Sequence, residues 1–243
     1  MKMFSFAKRC AKDILRDPIN LAFGLGFPLV LILLLSAIQA NIPVSLFEIE
    51  SLTPGVSVFG LSFMTLFSAT LIAKDRESAF LQRLYATPLT AIDFILGYTL
   101  PLLPITLGQT TICYLIALPL GIEININILY AIIGIIPMAI FNISLGLLCG
   151  SLLGVKQVGG ICGGMLTNLS GWLSGVWFDL KLVDGAFEKV ANLLPFAHAV
   201  EMEKALVNGD IRLATIHLVP VLIYSITTTA IATFCFLKQM TNH

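Results

Sequence analysis

The densest run of charged side chains in this sequence is 74–90, KDRESAFLQRLYATPLT. Lys74, Asp75, Arg76, Glu77 and Arg83 alternate in sign, while Phe80, Leu81, Leu84 and Tyr85 repeat at helical spacing along one face. A short helix with one apolar and one charged face docks onto a partner or packs on the rim of the membrane. Catalytic groups are hard to find elsewhere. There is no H-E-x-x-H pattern and no G-x-x-x-x-G-K-[ST] loop to cradle phosphates. Cys10, Cys113, Cys149, Cys162 and Cys235 are scattered without a C-x-x-C pair, and four lie in apolar runs. They read as small apolar side chains, not as zinc ligands or a disulfide framework. His217 stands near the start of the last apolar run and reads as a polar residue at the outer boundary. No apolar run carries a central acid or base of the kind that relays ions. No catalytic residue, metal ligand or cofactor is therefore assigned to this chain, and uphill work would draw its energy from another subunit.

The elements that hold the 74–90 segment are membrane spans. Of 243 residues, 57% are hydrophobic and 12% charged, about half the charge of an ordinary soluble domain. Net charge is zero, so no bulk attraction to nucleic acid is available. Six apolar runs approach or exceed the roughly 20 residues that cross a bilayer as a helix: 21–40, 55–73, 95–120, 128–153, 158–178 and 213–237. Lone strands are excluded, because their backbone groups find no partners in lipid. The expected fold class is all-α integral membrane: a single transmembrane domain over 1–243, six spans, an interfacial helix over 1–18 and an outer loop over 179–212 with short re-entrant helices. The N-terminal run is too polar at first, and lacks a small-residue cleavage site, to read as a removed signal.

Basic residues give the orientation. Lys2, Lys8, Arg9, Lys12 and Arg16 precede the first run; Lys74, Arg76 and Arg83 follow the second; Lys156 follows the fourth and Lys238 the sixth. With six alternating spans all fall on one side, which the positive-inside rule makes cytoplasmic, with both termini. Met3, Ala7, Cys10 and Ile14 share a face of segment 3–15, as suits a helix at the cytoplasmic interface among anionic headgroups. Asp17-Pro18 ends it. Gly159, Gly160, Gly163, Gly164, Gly171 and Gly175 form a small-residue stripe, for packing within the chain or against a second subunit. Phe59, Phe63 and Phe67 recur every four residues, facing lipid or core, or walling a cavity for amphipathic ligands. Asn142 and Asn168 are amides in apolar runs that either bridge helices or contact a substrate. Trp172 and Trp177 suit the outer aromatic belt.

Arg16-Asp17-Pro18, Phe27-Pro28, Pro54-Gly55, Asp75-Arg76-Glu77, Leu84, Thr87-Pro88-Leu89 and Leu194-Pro195 stand in an order that resembles the type-2 permeases of ABC transporters, the six-span subunits of bacterial exporters. The resemblance covers nearly the whole chain, and D-R-E…R-L-x-x-T-P-L is its most specific part. It implies a permease subunit that is not itself an enzyme, paired with a second permease copy or paralogue and with separate ATPase subunits that bind ATP and Mg. By match to the motif, Asp75, Arg76, Glu77, Leu84, Thr87 and Pro88 would form the coupling helix that meets the ATPase, and Arg16 and Asp17 would join the connecting helix. Alternating access would move a ligand outward across a bacterial cell membrane. Phe59, Phe63, Phe67, Asn168 and Leu169 are candidates for the substrate path. Short outer loops favour a small amphiphile such as a drug, antimicrobial or lipid. The competing function is a membrane scaffold or sensor subunit. A lipid-modifying enzyme would need clustered polar groups that the sequence lacks.

Overall fold

The computed structural model describes residues 2–78, 90–183 and 185–241. All regular structure among them is helical. Helix α1, Lys2–Leu15, is amphipathic. Five helices are long and apolar enough to cross a membrane: α2 (Pro18–Gln39), α3 (Ile49–Glu77), α4 (Ile92–Leu120), α5 (Ile126–Leu152) and, within the last helix α9 (Ile211–Thr241), Ile211–Lys238. Between α5 and α9 run α6, over 155–173, then α7 (Gly185–Leu193) and α8 (Pro195–Val207). The fifth apolar run, 158–178, is thus helical over 155–173, but Lys156, Gln157, Asn168 and its glycines leave it less apolar than the other five.

Helix α3 is the axis of the bundle. Its apolar window is 89% buried, against 22% for α2 and 17% for α9, which leave most of their apolar surface outward. It begins at Ile49, six residues before the expected start, and carries Pro54 inside it; a proline there removes one backbone hydrogen bond. Helix α5 lies against α3 at backbone contact. A Cβ on Gly146 would stand 2.3 Å from the Thr65 carbonyl oxygen, and one on Gly150 2.5 Å from that of Ala69. This Gly-x-x-x-Gly pair, not the 159–175 stripe, makes the closest helix approach among these glycines. Polar bonds fix its register: Thr65 Oγ1 donates to Asn142 (2.9 Å to O) and Ser68 Oγ to the Ile143 carbonyl (2.9 Å). Asn142 therefore bridges helices.

Helix α6 runs antiparallel along α3. Val155 meets Glu77, Gly163 faces Leu66, and Gly171 faces Phe59. It is π-helical over Gly159–Leu166. Helix α9 packs on α5, with Ser144 and Thr229 hydroxyls 2.7 Å apart. Phe6 of α1 and Phe236 of α9 both contact Phe94, with ring centroids 5.7 and 5.6 Å apart, so the two ends of the chain reach the same end of the bundle. At that end α1 buries Phe6, Ala7, Cys10 and Ile14 in the protein core, while Met3 is only half-buried. The expected apolar face of α1 is thus spent largely on the bundle and not on headgroups. Gly97 permits the approach, since a Cβ there would stand 2.2 Å from the Phe6 ring.

Candidate functional site

The end of α3 carries Asp75, Arg76 and Glu77 side by side, and each side chain holds a different neighbour. Asp75 is 3% exposed. The Arg9 guanidinium of α1 forks across it, donating to its two oxygens at 2.7 and 2.5 Å, and Tyr98 of α4 donates its hydroxyl at 2.9 Å. Arg9 is itself oriented by Asp13, 3.0 Å from Nε. Burial disfavours the cation, but bonding to Asp75 outweighs it and Arg9 titrates above its ordinary value. Burial beside Asp75 pushes the Cys10 thiol up to about 12, so it is chemically quiet.

Arg76 donates to the carbonyl oxygens of Ser151 and Leu153, the latter at 2.6 Å. These belong to the C-terminal turn of α5, whose free carbonyls and negative dipole end suit a cation. Glu77 Oε1 accepts the Val155 N–H at 2.8 Å, at the first turn of α6, where free N–H groups suit an anion. Three consecutive residues thus tie α3 to α1 and α4, to the end of α5 and to the start of α6.

Asp17 closes the other side. It accepts from Asn20 (N–H 3.3 Å, Nδ2 2.7 Å) to start α2, and Lys74 lies 3.4 Å away. Burial opposes its ionisation, but these donors prevail and hold it below the usual carboxylate range. Arg16 is exposed next to it. Leu84, Thr87 and Pro88 lie outside the described residues, as does the apolar face of Phe80, Leu81 and Tyr85.

Phe59, Phe63 and Phe67 are buried in one hydrophobic cluster, in which the Phe59 and Phe63 rings meet edge-on with centroids 6.3 Å apart. Phe63 and Phe27 centroids are 5.8 Å apart, and those of Phe59 and Trp177 5.2 Å. Phe67 packs on Gly24 and borders a cavity of about 60 Å³ beside Asp17 and Lys74, far below the roughly 300 Å³ of small-ligand sites. Asn168 is exposed and donates to the Gly164 carbonyl at 2.8 Å; Leu169 is half-buried. No group of three or more His, Cys, Asp or Glu residues stands ready for a metal among the described residues.

The family model for the ABC-2 type transporter matches residues 1–206, which include α1, the charged end of α3 and most of α8. The chain belongs to the ABC-2 type transporter family. Its members are membrane transport components, and this chain is a transmembrane subunit of an ABC transporter. No curated protein matches it. In this ABC-2 subunit, sequence reasoning singled out Asp75, Arg76 and Glu77 but missed Arg9 and Tyr98, the partners of Asp75 on distant elements; the one available signal was a charged run facing an apolar face. It also missed Glu203. That residue lies in the 179–212 segment expected as an outer loop, yet it is 0% exposed within α8. The Tyr114 hydroxyl donates to Glu203 Oε2 at 3.4 Å, and Oε1 has no hydrogen-bond partner among the described residues.

Proposed function

We propose that this ABC-2 subunit is the permease of an ATP-driven exporter, and that the Asp75-Arg76-Glu77 clamp passes the motion of a separate ATPase into the spans. The observation that carries the reading is that clamp. A push on the segment following Glu77 reaches α1, α4, α5 and α6 at once, because adjacent side chains hold all four. Asp17 and Arg16 lie on the same face, where the ATPase seats against 79–89 with Leu84, Thr87 and Pro88. ATP and Mg are bound by that partner.

Helix α6 is the sixth span, and its antiparallel course along α3 supports that count. The basic residues then share one side, both termini are cytoplasmic, and the host membrane is a bacterial cell membrane. A second permease copy or paralogue packs on α6. Gly159, Gly160 and Gly164 would meet nothing within 4 Å if given a Cβ, so an open small-residue face is available. Across that seam Asn168, Leu169 and the side chains of Phe59, Phe63 and Phe67 line the path of a small amphiphile moved outward by alternating access.

Purification of the native complex in mild detergent tests the reading. An ATPase near one per permease, with vanadate-sensitive hydrolysis stimulated by amphiphiles, is expected. A solitary permease, recovered where a control exporter stays intact, would favour a scaffold or sensor.

A further inference from the structure

At the opposite end of the bundle from the clamp, α8 carries acids on two faces. Glu201, with Lys204, lines an outer cavity of about 500 Å³. Glu203 follows two residues later, about 200° round the helix, and is fully buried. Its Oε2 accepts from the Tyr114 hydroxyl of α4 at 3.4 Å. Its Oε1 lies 3.5 Å from where a Cβ on Gly134 of α5 would stand, and has no hydrogen-bond partner among the described residues. Tyr114 is the titratable group that meets it. Glu50 of α3, Tyr130 of α5 and Arg212 of α9 are exposed, and His198 and His217 are taken up with each other. A carboxylate with one long hydrogen bond, one unpaired oxygen and no cation beside it is a costly group to bury, and the neutral acid is far less so. With the proton on Oε1, Oε2 stays free to accept from Tyr114.

The surroundings of this acid are jointed. Helix α8 is entered through Leu194 in extended backbone (ψ 157°) followed by Pro195, and is left at Gly209, whose φ of 77° lies in the left-handed region. Such element ends absorb the tilting of the helix between them. On the other side of Glu203, α5 consists of two helical pieces. The first ends at Gly134 and the second begins at Ile136, with Pro137 in its first turn. Oε1 therefore lies against the joint of α5. A tilt that lifts α8 off α4 and α5 admits water to the carboxyl. The Oε1–H bond then breaks, the proton passes to water, and the carboxylate left behind is solvated. Reclosure takes one proton back.

We propose that Glu203 is a proton-binding site that latches α8: it holds one proton while α8 is closed on α4 and α5, and releases it to water when α8 lifts. The closed form binds the extra proton, so the open population rises about tenfold per pH unit above the ordinary carboxyl range, until the closed site itself ionises. The test uses the full chain in detergent. Infrared difference spectra of wild type against Glu203→Gln at neutral pH should show a protonated carboxyl band that shifts in heavy water and is lost in the variant. Absence of that band from the wild type overturns the site. Hydrogen exchange of the α8 amides, corrected for the intrinsic effect of pH, is followed from mildly acidic to alkaline conditions. Protection should fall about tenfold per pH unit in the wild type and stay level in Glu203→Gln. Protection independent of pH in the wild type would leave a static buried acid, and an equal fall in both proteins would assign the dependence to another group, such as His198 and His217; either overturns the latch. Where Glu203→Gln fails to fold, Tyr114→Phe decides. Loss of the hydroxyl should raise the frequency of the acid band, and an unmoved band refutes its assignment to Glu203. Neither readout needs an ATPase partner or depends on which side of the membrane this end faces.

Discussion

Arg9 and Asp75, 66 residues apart, meet in a forked ion pair whose carboxylate is buried and whose guanidinium is about one-third exposed. That asymmetry gives a prediction. Asp75→Asn leaves Arg9 able to reach water. Arg9→Ala leaves a buried carboxylate with the Tyr98 hydroxyl as its remaining donor described here. Losing charged hydrogen bonds costs about 1.5–3 kcal/mol when the stranded group stays buried. Arg9→Ala should therefore lower thermal stability more than Asp75→Asn. The double variant should recover part of the Arg9→Ala loss. Melting of the four proteins in detergent checks this, and simple additivity would refute a stranded-charge account.

The glycines separate into two kinds. Gly146→Ala and Gly150→Ala each thrust a methyl into α3 backbone, and overpacking of this sort costs about 1–3 kcal/mol. Gly159→Ala and Gly160→Ala meet open space within the chain and remove a helix-interior glycine, worth up to about 1 kcal/mol in the other direction. The first pair should lower the melting temperature of the isolated chain. The second pair should leave it unchanged or raised, while reducing cross-linked dimer in membranes if α6 is the subunit seam. Full dimer yield in the second pair would move the seam elsewhere.

Glu203 sets a pH dependence. Burial raises its carboxyl well above the ordinary value of 4.5, despite the Tyr114 hydrogen bond that favours the anion. The folded chain thus holds a proton that the unfolded chain gives up, and stability falls as pH rises above about 4.5 toward the folded value. Glu203→Gln should flatten that slope and raise the melting temperature at neutral pH. A slope that persists in Glu203→Gln assigns it to another group.

The sequence made the spans legible because lipid demands long apolar runs, and it made Asp75-Arg76-Glu77 legible because charge is conspicuous among them. It did not reveal what those charges hold. Arg9 reads as one more basic residue of a leader, and nothing local tells it from Lys8 or Lys12; only the fold brings it to Asp75. Gly146 and Gly150 were passed over for the denser stripe at 159–175, since a glycine's neighbour depends on which face turns inward. Glu203 lies in the 179–212 segment expected as an outer loop, where a charge is ordinarily solvated, and the tertiary placement of α8 overrides that. Asn142 was open between two roles until Thr65 supplied its partner.

Arg76 and Glu77 should separate by their depth. Arg76 is half-buried and binds two carbonyls at the end of α5, whereas Glu77 is exposed and caps α6 with one bond. Losing a cap costs about 1 kcal/mol, and losing a guanidinium on two carbonyls costs more, because those acceptors are left unpaired. In a complex reconstituted with its ATPase, Arg76→Ala should keep ATP hydrolysis while export falls sharply. Glu77→Ala should show a smaller loss of export, and Glu77→Gln, which keeps an acceptor, should lie near the wild type. Melting temperatures within a few degrees of wild type would establish that the loss is one of transmission and not of folding. Export unchanged in both alanine variants would sink the clamp as the route from ATPase to spans, because no other residues described here join α3 to both sides of the α5–α6 corner through charge.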